Sequence, residues 1–224
     1  MQLPEPTLWS LEWWKDALSI AQSAFVCVTA FIALLGVNEW RRQTIGKRKI
    51  ELAEEVLTSF YEAKDVFEWV RSPGSFGGEG ETRPAEGEQE ELKRMRNIYF
   101  VPIERMQKHG ELFAKIQGQR YSFMAIFGAD AVKPFQLLRE VQVRVTVSAQ
   151  TLIRMVGKDL ARANNQALWD RCEADIWEGS YEATNQVDPL KVSLNDMIAK
   201  LETLCRPVLL HSGSWDFSRL NFWK

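Results

Sequence analysis

Residues Ala17 to Val37 read ALSIAQSAFVCVTAFIALLGV, twenty-one consecutive positions without a charged side chain. As a helix rising about 1.5 Å per residue, the run extends about 31 Å, which matches the hydrocarbon core of a bilayer. Helices buried in soluble domains rarely continue so far without a charge, so the run predicts a transmembrane helix over 17–37. Trp9, Trp13 and Trp14 precede it and Trp40 follows it, where the aromatic belt of a membrane protein belongs. The sixteen residues ahead of the run hold one basic residue, Lys15, whereas Arg41, Arg42, Lys47, Arg48 and Lys49 follow within twelve. That asymmetry predicts a short extracytoplasmic N-terminus over 1–16 and a cytoplasmic C-terminal side. A cleavable signal peptide would carry a basic leading region and a shorter apolar core. Here the leading region is acidic and Trp-rich, so an uncleaved anchor is expected.

The composition excludes several classes. Twenty-eight Lys and Arg against thirty Asp and Glu leave no global basic field for nucleic acid. A hydrophobic content of 46% is too high for a disordered chain. Three Cys do not make a secreted disulfide framework, and two His leave little for a zinc site or a His-based triad.

Within the apolar run, Ser19, Gln22, Ser23, Thr29, Ala33 and Gly36 recur mostly at spacings of three and four. In lipid, such small and polar residues favour close helix contact and interhelical hydrogen bonds, and Gln22 is costly to present to acyl chains. Self-association through this stripe is one expectation. A lone anchor whose Ser and Thr bond their own backbone carbonyls is the other. The basic cluster Arg41, Arg42, Lys47, Arg48 and Lys49 suits anionic headgroups, worth about 1 kcal/mol per residue near the surface, and serves equally as a topology signal.

Residues 38–206 read as a cytoplasmic antiparallel bundle of four to five helices. Leu52, Val56, Phe60, Ala63, Phe67 and Val70 recur at threes and fours, a coiled-coil-like stripe. It continues the anchor, with Gly46 as its one candidate bend, until Ser72-Pro73-Gly74 ends it. A second helical region, 89–127, carries Leu92, Met95, Tyr99, Met106, Phe113, Ile116, Phe123 and Phe127, and Pro102 is expected to kink or break it. Pro134 suits the first turn of a third helix. In that helix Val141, Val143, Val145 and Val147 alternate as in a strand, but the helical pattern from Phe135 past Leu160 is longer and decides for helix. Leu168, Trp169, Cys172 and Ile176 mark a fourth helix. Asp188-Pro189 opens a last one, with Leu190, Leu194, Ile198, Leu201 and Leu204 as its stripe, expected to end at Pro207. The tail 207–224 returns to aromatics, Trp215, Phe217, Phe222 and Trp223, to pack on the bundle or touch the membrane surface or a partner.

Between the first two cytoplasmic helices lies SPGSFGGEGETRPAEGEQEE, residues 72–91, with six Glu against Arg83 alone. It lacks the Gly-Lys-Ser/Thr ending of a phosphate loop and the ligand spacing of an EF-hand. A solvated connection and a docking surface both fit it. Arg120 sits among aromatics and requires a partner if buried. Glu79 or Glu81 is the expected partner, folding the loop onto the bundle. Glu79, Glu81, Arg83, Arg120, Trp215 and Trp223 are thus the candidate docking residues.

Leu52 to Arg83 (LAEEVLTSFYEAKDVFEWVRSPGSFGGEGETR) and Arg120 to Gly128 (RYSFMAIFG) resemble a group of bacterial single-pass inner-membrane proteins with a cytoplasmic helical domain. The resemblance covers about half the chain and implies a bacterial inner-membrane setting. It implies no activity, cofactor or catalytic residue.

No catalytic set is legible. Cys27 lies in the apolar run, and Cys172 and Cys205 lie on apolar helix faces where thiols are structural. The carboxylates Glu54, Glu55, Asp65, Glu68, Glu173, Asp175 and Glu178 lack the Glu-x-x-His spacing of a di-metal bundle. The expected function is that of a membrane-anchored scaffold without cofactor, metal or nucleic acid, and not an enzyme. Its expected partners are membrane lipids, a second copy of itself and a cytoplasmic protein. Two alternatives stand beside it: an oligomerising sensor-effector that perturbs the membrane, as in defence or toxin systems, and a carboxylate- or metal-dependent enzyme acting on lipid or nucleotide.

Overall fold

A computed structural model describes residues 8–183 and 185–211; Trp215, Trp223 and the rest of the aromatic tail beyond His211 lie outside the described residues. The chain divides into two compact units, Met1–Lys49 and Ile50–Lys224. All regular structure among the described residues is helical: α1 (Leu8–Val70), α2 (Glu90–Lys108), α3 (Gly110–Phe127), a 3₁₀ turn (Ala129–Val132), α4 (Lys133–Met155), α5 (Asp159–Asn164), α6 (Gln166–Ile176), α7 (Ser180–Ala183) and α8 (Pro189–His211). The all-α class read from the sequence holds.

In the first unit, Trp14–Val37 of α1 is long and apolar enough to cross a membrane: 24 residues of mean hydropathy 2.2, none of them buried. The helix runs through Gly46 without interruption.

In the second unit, the stripe Leu52, Val56, Phe60, Ala63, Phe67 and Val70 is buried along its whole length. Phe60 meets the Phe135 ring edge-on at 5.0 Å, and Phe67 meets Phe113 at 5.5 Å. From α4, Phe135, Leu138, Val141, Val145, Ala149 and Leu152 close the core. The alternating valines resolve into two helical faces. Val141 and Val145 point inward, whereas Val143 and Val147 are 51% and 53% exposed. A helix with a second apolar stripe on its outer face imitates a strand over seven residues.

α8 runs antiparallel to the second half of α1. Arg71 bonds Asp188 just ahead of it, and Tyr61 bonds Glu202 near its far end. The Asp188 carboxylate caps α8, accepting the N–H of Leu190 at 2.8 Å and of Lys191 at 3.2 Å, as the Asp-Pro start predicts.

Three boundaries differ from the sequence reading. α2 is not broken at Pro102, which lies inside it, and ends instead at His109. The missing N–H costs about 3 kcal/mol in a helix interior, and the buried run Val101–Met106 with its ionic contacts outweighs it. α8 likewise continues through Pro207 to His211. α4 stops at Met155 rather than continuing past Leu160, because Gly157 turns the chain at φ +83° with Leu92 so close that a Cβ would lie 2.8 Å from it. That left-handed turn favours glycine.

Phe60→Ala should cost about 3–5 kcal/mol through the cavity it leaves, whereas Val143→Ala on the outer face should stay within about 0.5 kcal/mol. Denaturant unfolding of the full chain in detergent, followed by circular dichroism, checks both.

Candidate functional site

α1 ends at Val70 with no basic residue in its last turn; the Arg71 and Ser72 N–H groups close on the Phe67 and Trp69 carbonyls at 3.0 and 3.1 Å, and the carbonyls of the exit and the turn after it take further donors. Arg105, in the last turn of α2 and 1% exposed, provides them. Its Nη1 donates to the Trp69 and Ser72 carbonyls, both at 2.9 Å, and Nη2 donates to the Gly74 carbonyl. Nε and Nη2 meet the two carboxylate oxygens of Glu79 at 3.0 and 2.6 Å. All five guanidinium donors are thereby engaged, and the cation stands over the Trp69 ring at 5.0 Å.

The adjacent Glu104 works in the opposite sense. Its carboxylate accepts the Gly80 N–H at 2.6 Å and meets the Lys108 ammonium at 3.0 Å. Burial pushes its pKa up, but the bonds from Lys108, Gly80 and Thr82 outweigh burial and leave it lowered. Gly80 has φ +84°, and a Cβ there would fall 2.2 Å from the Asn97 carbonyl oxygen, so only glycine lets the loop lie so close to α2. Farther along, Arg83 donates to Asn97 Oδ1 and to Glu88, both at 3.0 Å, and Arg96 reaches Glu88 at 2.9 Å. The two guanidinium groups, Arg83 first, hold Glu88 down at about 2. Residues 72–91 are therefore pinned to α2 along their length. Phe76, 75% exposed, and the exposed Glu81 and Glu86 are presented outward from a fixed frame.

A second buried network faces the other side of the end of α1. Arg71, 3% exposed, donates to the Asp175 and Ala174 carbonyls at 3.0 and 3.1 Å and pairs with Asp188 at 2.8 Å. The Asp175 carboxylate accepts from Arg144 at 3.0 Å, Tyr181 at 2.7 Å and Ser148 at 2.9 Å. Burial, then the bond to Asp175, pushes Tyr181 up to about 12. These contacts join α1, α4, α6 and α8.

The sequence-derived candidates fall as follows. Glu79 does fold the loop onto a buried arginine, but that arginine is Arg105 and not Arg120. Arg120, half-buried on α3, stands 5.6 Å from the Tyr121 ring, and its Nε lacks an acceptor. Glu81 takes no part in an ion pair among the described residues. In the apolar helix, Ser19, Gln22, Ser23, Thr29, Ala33 and Gly36 are all exposed. Ser23 bonds the Ser19 carbonyl at 2.9 Å, and Thr29 bonds those of Phe25 and Val26 at 2.9 Å, the self-satisfied arrangement named as the alternative. Trp14, Trp40, Arg41, Lys47 and Arg48 are exposed and Lys49 is half-buried; the side chains of Trp9, Trp13 and Arg42 lie outside the described residues. Cys172 and Cys205 are buried. Burial raises both thiols, Cys205 to about 11, the reverse of an activated nucleophile.

Sequence reasoning did not single out Arg105, Arg71 or Arg144. The available signal was a Glu-Arg pair, Glu104-Arg105, enclosed by the apolar run Val101 to Met106. No family model, curated protein or solved structure matches this chain.

Removing Arg105 takes the paired cation from Glu79 and a donor from each of three carbonyls, so Arg105→Ala should cost about 3–5 kcal/mol. Arg105→Lys should recover only part, since an ammonium lacks the planar fork; unfolding of the full chain measures both. Glu79 is held below its usual 4.5 chiefly by the bond from Arg105. The loop clamp should therefore be whole above pH 4.5 and lost as pH falls through the depressed value. Amide exchange of residues 74–80, corrected for intrinsic rates, should show protection that disappears on acidification in the native protein and is already absent in Glu79→Ala.

Proposed function

We propose that the chain is a single-pass, membrane-anchored helical interaction protein, acting by self-association or by recruiting a cytoplasmic partner to the membrane. One observation carries this reading: Trp14–Val37 is a 24-residue apolar helix none of whose described residues is buried. Exposed apolar surface on that scale requires a lipid or protein environment. The basic residues after it support an N-terminus-out orientation. The likeness of 52–83 and 120–128 to bacterial inner-membrane proteins supports that membrane as the setting.

The second unit supports a role through contacts. Its interior charges are bound to one another, its buried thiols are not activated, and its loop is held rigid with Phe76 outward. The effector alternative draws on the polar stripe of the apolar helix. With Ser23 and Thr29 bonded to their own backbone, the polar side chains left in that stripe are Ser19 and Gln22, a thin lining that favours an anchor over a pore.

The test is alkaline-carbonate extraction of membranes from cells expressing the full chain, combined with reporters fused at either end. The chain should remain in the membrane pellet, deletion of 17–37 should release it, and the C-terminal reporter should be active in the cytoplasm. Release of the intact chain by carbonate, or an extracytoplasmic C-terminus, would overturn the reading.

A further inference from the structure

Where the start of α2 lies against the end of α4, a cavity of about 490 Å³ opens, within the size range of small-molecule sites. Its walls are Leu92, Met95 and Ile98 from α2 and Met155 from the end of α4, and Trp169 and Arg162 complete it. Met95 and Ile98 are 39% and 54% exposed, so this face is apolar and uncovered. The two methionines are adaptable liners. Trp169 is buried and held edge-on to Tyr99 at 5.5 Å, with the Tyr99 hydroxyl fixed on Glu173 at 2.6 Å.

The polar groups here are donors in search of an acceptor. The Trp169 indole N–H is shielded from solvent and bonds to nothing, an omission that costs about 1–3 kcal/mol. Arg96 anchors its Nη2 on the Val156 carbonyl at the cavity wall at 3.2 Å, yet its buried Nε also lacks an acceptor. Arg162 stands over the Trp169 ring at 4.4 Å and has no ion pair among the described residues. The structure thus sets Arg162, a cation without an ion pair among the described residues, and the unused Trp169 N–H donor on the lining of an apolar cavity. Exposed Glu91 lines the same space, and Glu88 is committed to Arg83 and Arg96, so the lining is neutral overall, and Arg162 alone offers its charge to a single anionic head and not to a polyphosphate.

We propose that this cavity binds a single-chain amphiphile bearing one anionic head, the alkyl chain against Leu92, Met95, Ile98 and Met155 and the head on Arg162. A free long-chain carboxylate and a lysophospholipid share that chemistry. The site is separate from the apolar segment on which the anchoring proposal rests.

The test uses the full chain in native membranes, a diazirine-bearing palmitate as probe, and peptide mapping of the photolabel. Labelling at 92–98 and 155–169 should saturate, and excess palmitate or lysophosphatidylglycerol should compete for it, whichever competes at lower concentration identifying the source. Hexadecanol should compete weakly. Arg162→Gln, an exposed and structurally mild change, should lower the labelling about tenfold, the loss of one charge-assisted bond. Trp169→Phe should lower it while preserving the fold. Label confined to 17–37, equal competition by hexadecanol, or indifference to Arg162→Gln would overturn the proposal. Label at 17–37 is an independent readout of lipid exposure, and its absence alongside cavity labelling would count against the anchor alone.

Discussion

The end of a long helix is an electrostatic problem, and Arg105 is the solution on which this fold turns. The last carbonyls of α1 meet the backbone N–H groups of Arg71 and Ser72 and keep lone pairs for a further donor. A cation there is favourable both for those carbonyls and for the helix dipole. The sequence places none in the final turn of α1, so α2 supplies it from thirty-odd residues downstream. Because the Trp69, Ser72 and Gly74 carbonyls and the Glu79 carboxylate are all bound by one guanidinium, the exit of α1, the turn after it and the loop are fixed as a unit. An ammonium has too few donors for that geometry.

Arg71 makes the same junction from the opposite side. It ties the end of α1 to the α6 carbonyls and to the Asp188 cap of α8, while Asp175 gathers Arg144, Ser148 and Tyr181. Buried charges of this kind add little net stability over well-packed apolar residues. What they do here is choose among arrangements: helices with similar apolar stripes pack interchangeably, whereas a guanidinium with defined acceptors accepts one neighbour in one register.

This also explains what the sequence could reveal. The stripes of α1, α4 and α8 were legible because burial repeats at threes and fours and each residue states its own preference. Asp188 was legible because a cap bonds residues two and three positions away. The partners of Arg105 and Arg71 were not, since they lie from 26 residues distant (Glu79 from Arg105) to beyond 104 (Asp188 from Arg71) and many are backbone carbonyls, which any residue carries. Arg120 drew attention through its aromatic neighbours in the chain. Burial is set by neighbours in space, and those selected Arg105. The end of α4 was missed although Gly157 was in view, because the apolar pattern continues past it and only the approach of Leu92 shows why glycine stands there.

The loop's acidity changes meaning once its bonds are known. Six glutamates against one arginine suggest a diffuse negative patch. In the fold, Glu79 and Glu88 face inward, each on arginine, and Glu90 reaches Lys93 and Arg94 only at 3.9 and 3.7 Å, a surface pairing of little energy. What faces outward with no ion pair among the described residues is Glu81, Glu86 and Glu91, with Phe76 near the loop's start. Two inward carboxylates fix the backbone, and that rigidity lowers the ordering cost of any contact made through Phe76. The charges that hold the loop and the groups that could be read by a partner are thus different residues, separable by mutation within a twenty-residue segment.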